Sequence, residues 1–255
     1  GRYRQFRQFG IEAIGSQYSE QDAEIISIAW NILSDLGIQD ITLNLNSIGS
    51  SETRKKYRQV LIDYLKPNFD QLSESSKNRF NSNPLRILDT KNKSEIEILK
   101  QAPKITNYLS KEDEAHFNEV QERLNDLNIP FTLDTNLVRG LDYYTRTTFE
   151  IVSSKLGAQD ALCGGGRYDK LVESLGGKPT PAVGFAAGFE RIMLAMDGDD
   201  KLVENNIKKI YLIGLGDEAR STMIKILGEI RNEGFYIEFD PLRRSIKSQL
   251  RESNT

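Results

Sequence analysis

The sequence predicts a mixed α/β (α+β) chain: a sheet domain interrupted by helices, then a second, smaller α/β unit. Three observations carry this. Segments that alternate polar and apolar side chains, the period of a strand, occur on both sides of residues 51–127. The stretch between them is helical and dense in charge. Past residue 207 a buried-type strand, a helix and another strand follow in turn.

The elements follow in order. Phe6 to Ile14 alternates weakly and reads as a strand, with Gln8 and Glu12 an even number apart and therefore on one face. Asp22 opens an amphipathic helix that runs to Leu36 and is closed by Gly37. Ile41-Thr-Leu-Asn-Leu-Asn46 places aliphatics on one face of a strand and polar groups on the other. Glu52 to Leu65 is a charged helix stopped by Pro67, and its first turns carry Arg54, Lys55, Lys56 and Arg58. Asn83 to Asp89 is a turn followed by a short apolar run, and a second charged helix spans about 110–127. A module of this kind between two halves of a sheet reads as an insertion, 51–127, which leaves 1–50 and 128–197 as the parts of the interrupted domain. Asp197-Gly-Asp-Asp200 marks a linker. Ile210 to Gly216, Glu218 to Asn232 and Phe235 to Phe239 then form strand, helix and strand of a small parallel unit within 207–255. Gly214-Leu-Gly216 lacks the third glycine of a dinucleotide-binding turn, so that function is set aside.

Composition narrows the function further. At 255 residues with 38% hydrophobic and 28% charged side chains, the chain supports a real core under a polar surface. A net charge of −3 gives no global signal for nucleic acid, although a local basic stripe works on an acidic protein. One cysteine, Cys163, excludes an internal disulfide and a cysteine metal cluster. The single histidine, His116, lies in a charged helical stretch and reads as a surface residue, which argues against a histidine-based triad or metal site. No apolar run is long enough to span a membrane and no signal peptide is evident, so the expectation is a cytoplasmic protein. Gly1 is not an initiator, and Ser245 to Thr255 reads as a helix just starting, so the chain is expected to be part of a longer one.

Three segments carry the chemistry. Leu137-Val-Arg-Gly-Leu-Asp-Tyr-Tyr144 places Arg139 and two tyrosines before a strand whose faces read Tyr144, Arg146, Thr148, Glu150 and Thr145, Thr147, Phe149, Ile151. Hydrogen-bonding groups on both faces suit the floor of a polar pocket; an ordinary edge strand with a solvated face fits the same pattern. Cys163-Gly-Gly-Gly-Arg-Tyr-Asp169 lets the backbone approach a ligand closely or simply turn. Val183 to Leu194 leads small residues into a helix in which Arg191 sits among apolar neighbours, either snorkelling or holding an anion.

Together with the opening Gly1-Arg-Tyr-Arg-Gln-Phe-Arg-Gln-Phe-Gly-Ile-Glu12, these segments resemble the histidyl-tRNA synthetases, a class II aminoacyl-tRNA synthetase family. The opening resembles the second half of motif 2, Arg139 to Tyr144 and Gly164 to Asp169 the two histidine-specific signatures, and Gly184 to Leu194 motif 3. The resemblance implies an antiparallel class II sheet, an insertion lying against the tRNA acceptor stem, and part of an anticodon-binding domain at the end. It implies a ligase that joins histidine to ATP as histidyl-adenylate, with Mg²⁺ accompanying the nucleotide, and passes it to tRNA(His), usually as a homodimer. By resemblance Arg139 is the catalytic cation at the histidine carboxylate and the α-phosphate. Gln8, Glu12, Tyr143, Tyr144 and Tyr168 form the histidine site. The resemblance implies that Arg191 joins Arg139 on ATP and makes Arg4 a candidate for ATP and Arg2 for the tRNA acceptor end, a solvated loop being the alternative for both; the basic cluster that begins at Arg54 offers phosphate contacts to tRNA. The chain departs from the family in lacking motif 1 and the first half of motif 2, and in carrying Arg7 where many relatives have histidine. A histidine-sensing paralogue, the regulatory subunit of ATP phosphoribosyltransferase, is the alternative. The intact Arg139 run and the second unit speak against it.

Overall fold

The computed structural model describes residues 4–140, 143–157, 160–196, 210–216, 219, 222–223, 226, 230, 235, 237–240 and 244–253. They fall into two units, 1–197 and 198–255.

In the first unit the alternating segments become strands of a six-stranded sheet: β1 (Gln8–Ile14), β2 (Ile41–Ser47), β3 (Phe131–Leu133), β4 (Thr145–Ser153), β5 (Ala161–Arg167) and β6 (Ala182–Gly188). Their spatial order is β1-β6-β5-β4-β2-β3, antiparallel except for the β2–β3 pair. Because side chains alternate along each strand, register decides which rows meet. Leu43 and Leu45 of β2 lie opposite Ile151 and Phe149 of β4, Phe149 opposite Gly165 of β5, and Gly165 opposite Phe185 of β6. One face of the sheet is thus continuously apolar. It is covered by α1 (Ser19–Asp35) through Ile25, Ile26, Ala29 and Leu33, by α5 (Lys111–Asp126) through Phe117, Val120 and Leu124, and by α7 (Phe189–Ala195) through Ile192 and Ala195. The opposite face is left for polar groups.

The helical stretch after β2 is shared between two cores. Ser50 caps α2 (Ser51–Leu65) by accepting from the Thr53 amide, and Pro67 ends the α-helix in a 3₁₀ turn. Tyr57, Leu61 and Leu65 then pack with Ile87, Leu99 and Ile105 in a second cluster, which includes α3 (Glu74–Ser82) and α4 (Lys93–Leu99) and reaches Val138, Tyr144, Tyr168 and Ala182. The charged helix α5 instead packs in the main core beside α1. A short α6 (Leu171–Ser174) follows β5.

Two expectations are corrected. His116 is buried, because the face of α5 that carries Phe117 and Val120 turns it onto α1, with Nε2 3.5 Å from Asp22 Oδ2. The alternation expected from Tyr144 onward breaks at Arg146, which adopts φ +50° beside a register shift between Thr145 and Thr148. The Arg146 amide donates to Gly49 O at 2.9 Å, and its side chain leaves the strand face to pair with Asp113 and Glu112 at the start of α5.

Charge is buried beneath the apolar face. Arg167 is fully buried and donates through Nε to both Asp22 carboxylate oxygens, at 3.2 and 3.0 Å. Burial disfavours the Asp22 carboxylate, but the close approach of His116 and the hydrogen bonds from Arg167 outweigh it and hold its pKa below the ordinary 3.8. A carboxylate whose folded pKa is depressed stabilises the fold above the unfolded value, and that contribution is lost as pH falls through the folded one.

In the second unit β7 (Ile210–Leu212) and β8 (Ile237–Phe239) pair in parallel, and Ser245 caps α8 (Ile246–Glu252). The expected linker 197–200 lies outside the described residues, as does most of the helix expected over 218–232. Among the described residues no helix is long and apolar enough to cross a membrane.

Asp22→Asn is expected to lower stability at neutral pH by about 3–5 kcal/mol, since it leaves Arg167 buried against a neutral partner. It is also expected to flatten the loss of stability below pH 3.8, measured by urea unfolding across pH.

Candidate active site

The polar face of the sheet is built around missing side chains. Gly164 on β5 and Gly184 on β6 point the bare side of the backbone to this face. A Cβ on Gly164 would lie 2.3 Å from Arg139 Nη1, and one on Gly184 would lie 1.7 Å from Glu12 Oε2. Both close approaches require glycine. A guanidinium and a carboxylate therefore rest directly on the sheet.

Arg139 reaches this place because the loop after β3 is tied down. The Asp134 amide donates to Leu45 O at 3.0 Å, the Leu137 amide to Asp134 O at 3.0 Å, and Asn46 Nδ2 to Leu137 O at 2.9 Å. The Arg139 guanidinium donates through Nη1 to Glu150 Oε1 at 3.0 Å and lies 5.9 Å from the Tyr144 ring centroid. Its Nε is buried with no hydrogen-bond partner among the described residues, so a donor remains unmet there. Burial raises the Glu150 pKa, Arg139 partly offsets this, and Asp89 and Asp160 add to the rise.

At one end of the strip three tyrosines meet. Ring centroids of Tyr143 and Tyr144 are 4.7 Å apart, Tyr143 and Tyr168 5.7 Å, and Tyr144 and Tyr168 6.3 Å. The Tyr168 hydroxyl donates to Glu12 Oε2. Burial, then Glu12, raises the Tyr168 pKa; burial, then Tyr144, pushes Tyr143 up to about 12. Both hydroxyls are proton donors at neutral pH.

At the other end stands Gln8, exposed and paired in register with Gly188, on the same face as Glu12. Gly188 leads into α7, whose Arg191 donates through Nε to Ala161 O. Arg4 is exposed just before β1, and the Arg7 amide donates to the Glu190 carboxylate. Arg54 lies apart, on α2, where it lines a cavity of about 290 Å³ with Lys55, Arg58, Arg86, Val138 and Arg139. Five of the eleven residues that line it are cations, and Arg139 joins this cavity to the strip. Arg2 lies outside the described residues.

The structure thus gathers Glu12, Tyr143, Tyr144, Tyr168 and Arg139 at one end and the middle of the strip, and puts Gln8 and Arg191 near its far end. Burial pushes the Cys163 thiol up to about 12, so it is no nucleophile. Among the described residues no group of three or more His, Cys, Asp or Glu side chains is placed to hold a metal. Sequence reasoning gave no role to Glu150, Arg86, Asn46 or Arg167. Glu150 was legible only as a polar strand position; that it pairs with Arg139 follows from the register that sets it opposite Gly164.

The polar face of a mainly antiparallel sheet thus carries a fixed arginine and a carboxylate–tyrosine pair over glycines. The family model described as histidyl-tRNA synthetase matches residues 1–192. A histidine–tRNA ligase of Streptococcus pyogenes serotype M18 is 45% identical over 257 residues, covering all of this chain and 60% of the relative. One of Chloroherpeton thalassium is 48% identical with the same coverage. The crystal structure of apo Staphylococcus aureus histidyl-tRNA synthetase superposes with TM-score 0.64 at 35% identity, over 99% of this chain and 63% of that one. The chain belongs to the histidyl-tRNA synthetase family, and it spans about 60% of the length of these curated relatives.

Neighbouring glycines on β5 separate a rigid from a yielding contact. A Cβ on Gly165 would meet the Gly184 carbonyl at 2.2 Å, whereas on Gly164 it meets the tip of a flexible side chain. Gly165→Ala is expected to cost about 1–3 kcal/mol and Gly164→Ala under about 1 kcal/mol, measured by urea unfolding of the two variants.

Proposed function

We propose that this chain forms the histidine-activating site of a histidine–tRNA ligase. ATP and histidine give histidyl-adenylate and pyrophosphate, and the histidyl group then passes to tRNA(His). The observation that carries this reading is the placement of Arg139 beside the Glu12–Tyr168 pair on a bare sheet face, within a chain of this family.

Histidine offers a ring with two nitrogens, an ammonium and a carboxylate. Glu12 accepts from a ring N–H, and the tyrosine hydroxyls at Tyr144 and Tyr168, with Tyr143 beside them, serve the ring's other positions. Gln8 takes the ammonium. A ring that leaves these partners unpaired is rejected by about 10⁴-fold. The histidine carboxylate oxygen attacks the α-phosphorus of ATP, the new P–O bond forms and pyrophosphate leaves. Negative charge accumulates at the α-phosphate, and a fixed guanidinium stabilises it without reorganising. Arg139 is that group. Glu150 accepts from its Nη1 and holds the guanidinium on the sheet. Arg191 and Arg4 hold the rest of the nucleotide. Mg²⁺ is proposed to accompany the β- and γ-phosphates as part of the substrate.

Transfer brings the 3′ end of tRNA to the same place. The cation-lined cavity that Arg54 shares with Arg139 supplies phosphate contacts on that approach, and Arg2 is proposed for the same role. The end unit is proposed as part of an anticodon-binding domain, the assembly as a homodimer, and the setting as the cytoplasm.

The test is amino-acid-dependent ATP–pyrophosphate exchange by the complete gene product. Exchange with histidine and with none of the other amino acids is the expected result. Exchange with another amino acid, or none from a folded protein that still binds histidine, would contradict it; the second outcome favours the sensing paralogue. Arg139→Ala is expected to lower the exchange rate by about 10²- to 10³-fold while the melting temperature stays near that of the parent.

A further inference from the structure

The buried Arg167 has more partners than a simple core ion pair needs. Nη1 donates to Ser16 O at 2.8 Å and to Asp169 Oδ1 at 3.1 Å, and Nη2 to Tyr18 O at 3.0 Å. Nε and Nη2 also bind Asp22. These partners are not scattered. Ser16 and Tyr18 are the segment leaving β1, the strand of Glu12; Asp169 follows Tyr168, and Asp22 lies in the first turns of α1. One planar guanidinium thus holds together the two chain segments whose side chains form the Glu12–Tyr168 hydrogen bond. Those strands are not neighbours in the sheet, because β6 lies between them. The Asp169 amide is fixed in turn by donating to Thr145 Oγ1 at 3.1 Å.

We propose that Arg167 is a positioning residue for the imidazole subsite: by clamping the exits of β1 and β5 beneath the sheet, it sets the spacing of Glu12 and Tyr168 above it. The inference rests on the ligase reading of the site. It follows from chain geometry. Gly15, just after β1, has φ +111°, so the backbone bends there, and its amide donates to Pro181 O at 2.7 Å. Arg167 adds an anchor just past the bend, at Ser16 O and Tyr18 O. Lysine in its place keeps a charge but cannot satisfy a fork of this shape.

The test is pyrophosphate exchange by the complete gene product carrying Arg167→Lys or Asp169→Asn, with KM measured separately for histidine and ATP. Arg167→Lys is expected to raise the histidine KM by about 10- to 100-fold, because an ångström of misplacement has that effect, while the ATP KM changes by less than about 3-fold. Its preference for histidine over thienylalanine, a ring without the N–H, narrows. Asp169→Asn removes one charged contact at a half-buried site and is expected to act in the same direction by about 3- to 10-fold. A folded Arg167→Lys protein with an unchanged histidine KM would overturn the proposal, as would a parallel rise of both KM values with a fall in melting temperature. Should Arg167→Lys not fold, an unchanged histidine KM in Asp169→Asn overturns it instead. Lack of histidine-dependent exchange in the unsubstituted protein would overturn the ligase reading and this inference with it.

Discussion

The steric fact on which the site depends is that Gly164 and Gly184 carry no side chain. With a Cβ at either position, Arg139 or Glu12 would have to leave the sheet surface. Everything else in the site serves to exploit that vacancy. Antiparallel register aligns Gly166 of β5 with Gly184 of β6, so the bare positions form a strip instead of isolated gaps. The loop anchored by Asn46 lays Arg139 onto it, and the tyrosine cluster walls one end. Gly165, between Gly164 and Gly166 on β5, has the other orientation and lets β5 and β6 lie close over the apolar core. A run of glycines thus does two different jobs on two faces.

A sheet face this bare contributes little stability of its own, so rigidity comes from below and from the side. Below, α1, α5 and α7 bury the aliphatic rows, and the Asp22–Arg167 pair holds strand exits that no ladder bond connects. Such a pair is weak evidence for stability, because desolvation offsets its attraction, but it fixes geometry well. From the side, the second hydrophobic cluster packs Tyr57, Leu61 and Ile105 toward Tyr144 and Tyr168, coupling the helical segment to the tyrosine wall. Asp113 extends this coupling. It accepts from the Ser50 amide and from Arg146 Nε, so the starts of α2, α5 and β4 share one buried carboxylate. Hydrogen bonds from Ser50, Ser110 and Arg146 outweigh its burial and keep its pKa low.

Much of this was legible in the sequence where the information is local. The two-residue period of Ile41 to Asn46 gave both the strand and its buried face, and Leu43 and Leu45 are fully buried. The glycine and tyrosine signatures marked the segments that meet at the site. What was not legible depends on distant partners. Arg146 leaves the strand face because Gly49 and Asp113 receive it, and no spacing within Tyr144–Ile151 encodes that. His116 looked solvated among charged neighbours; only the packing of α5 on α1 buries it. Arg167 and Asp22 are separated by 145 positions, so their pairing appears only when β5 lies over α1.

The central claim is that histidine lies over the glycine strip, with its ring at Glu12 and its carboxylate at Arg139. A crystal structure of the complete gene product with histidine and a non-hydrolysable ATP analogue tests it most directly. The expected result is the imidazole within hydrogen-bond distance of the Glu12 carboxylate and a tyrosine hydroxyl, with Arg139 between the carboxylate and the α-phosphate. Histidine bound elsewhere, or Arg139 still held by Glu150 with no contact to either ligand, would contradict it.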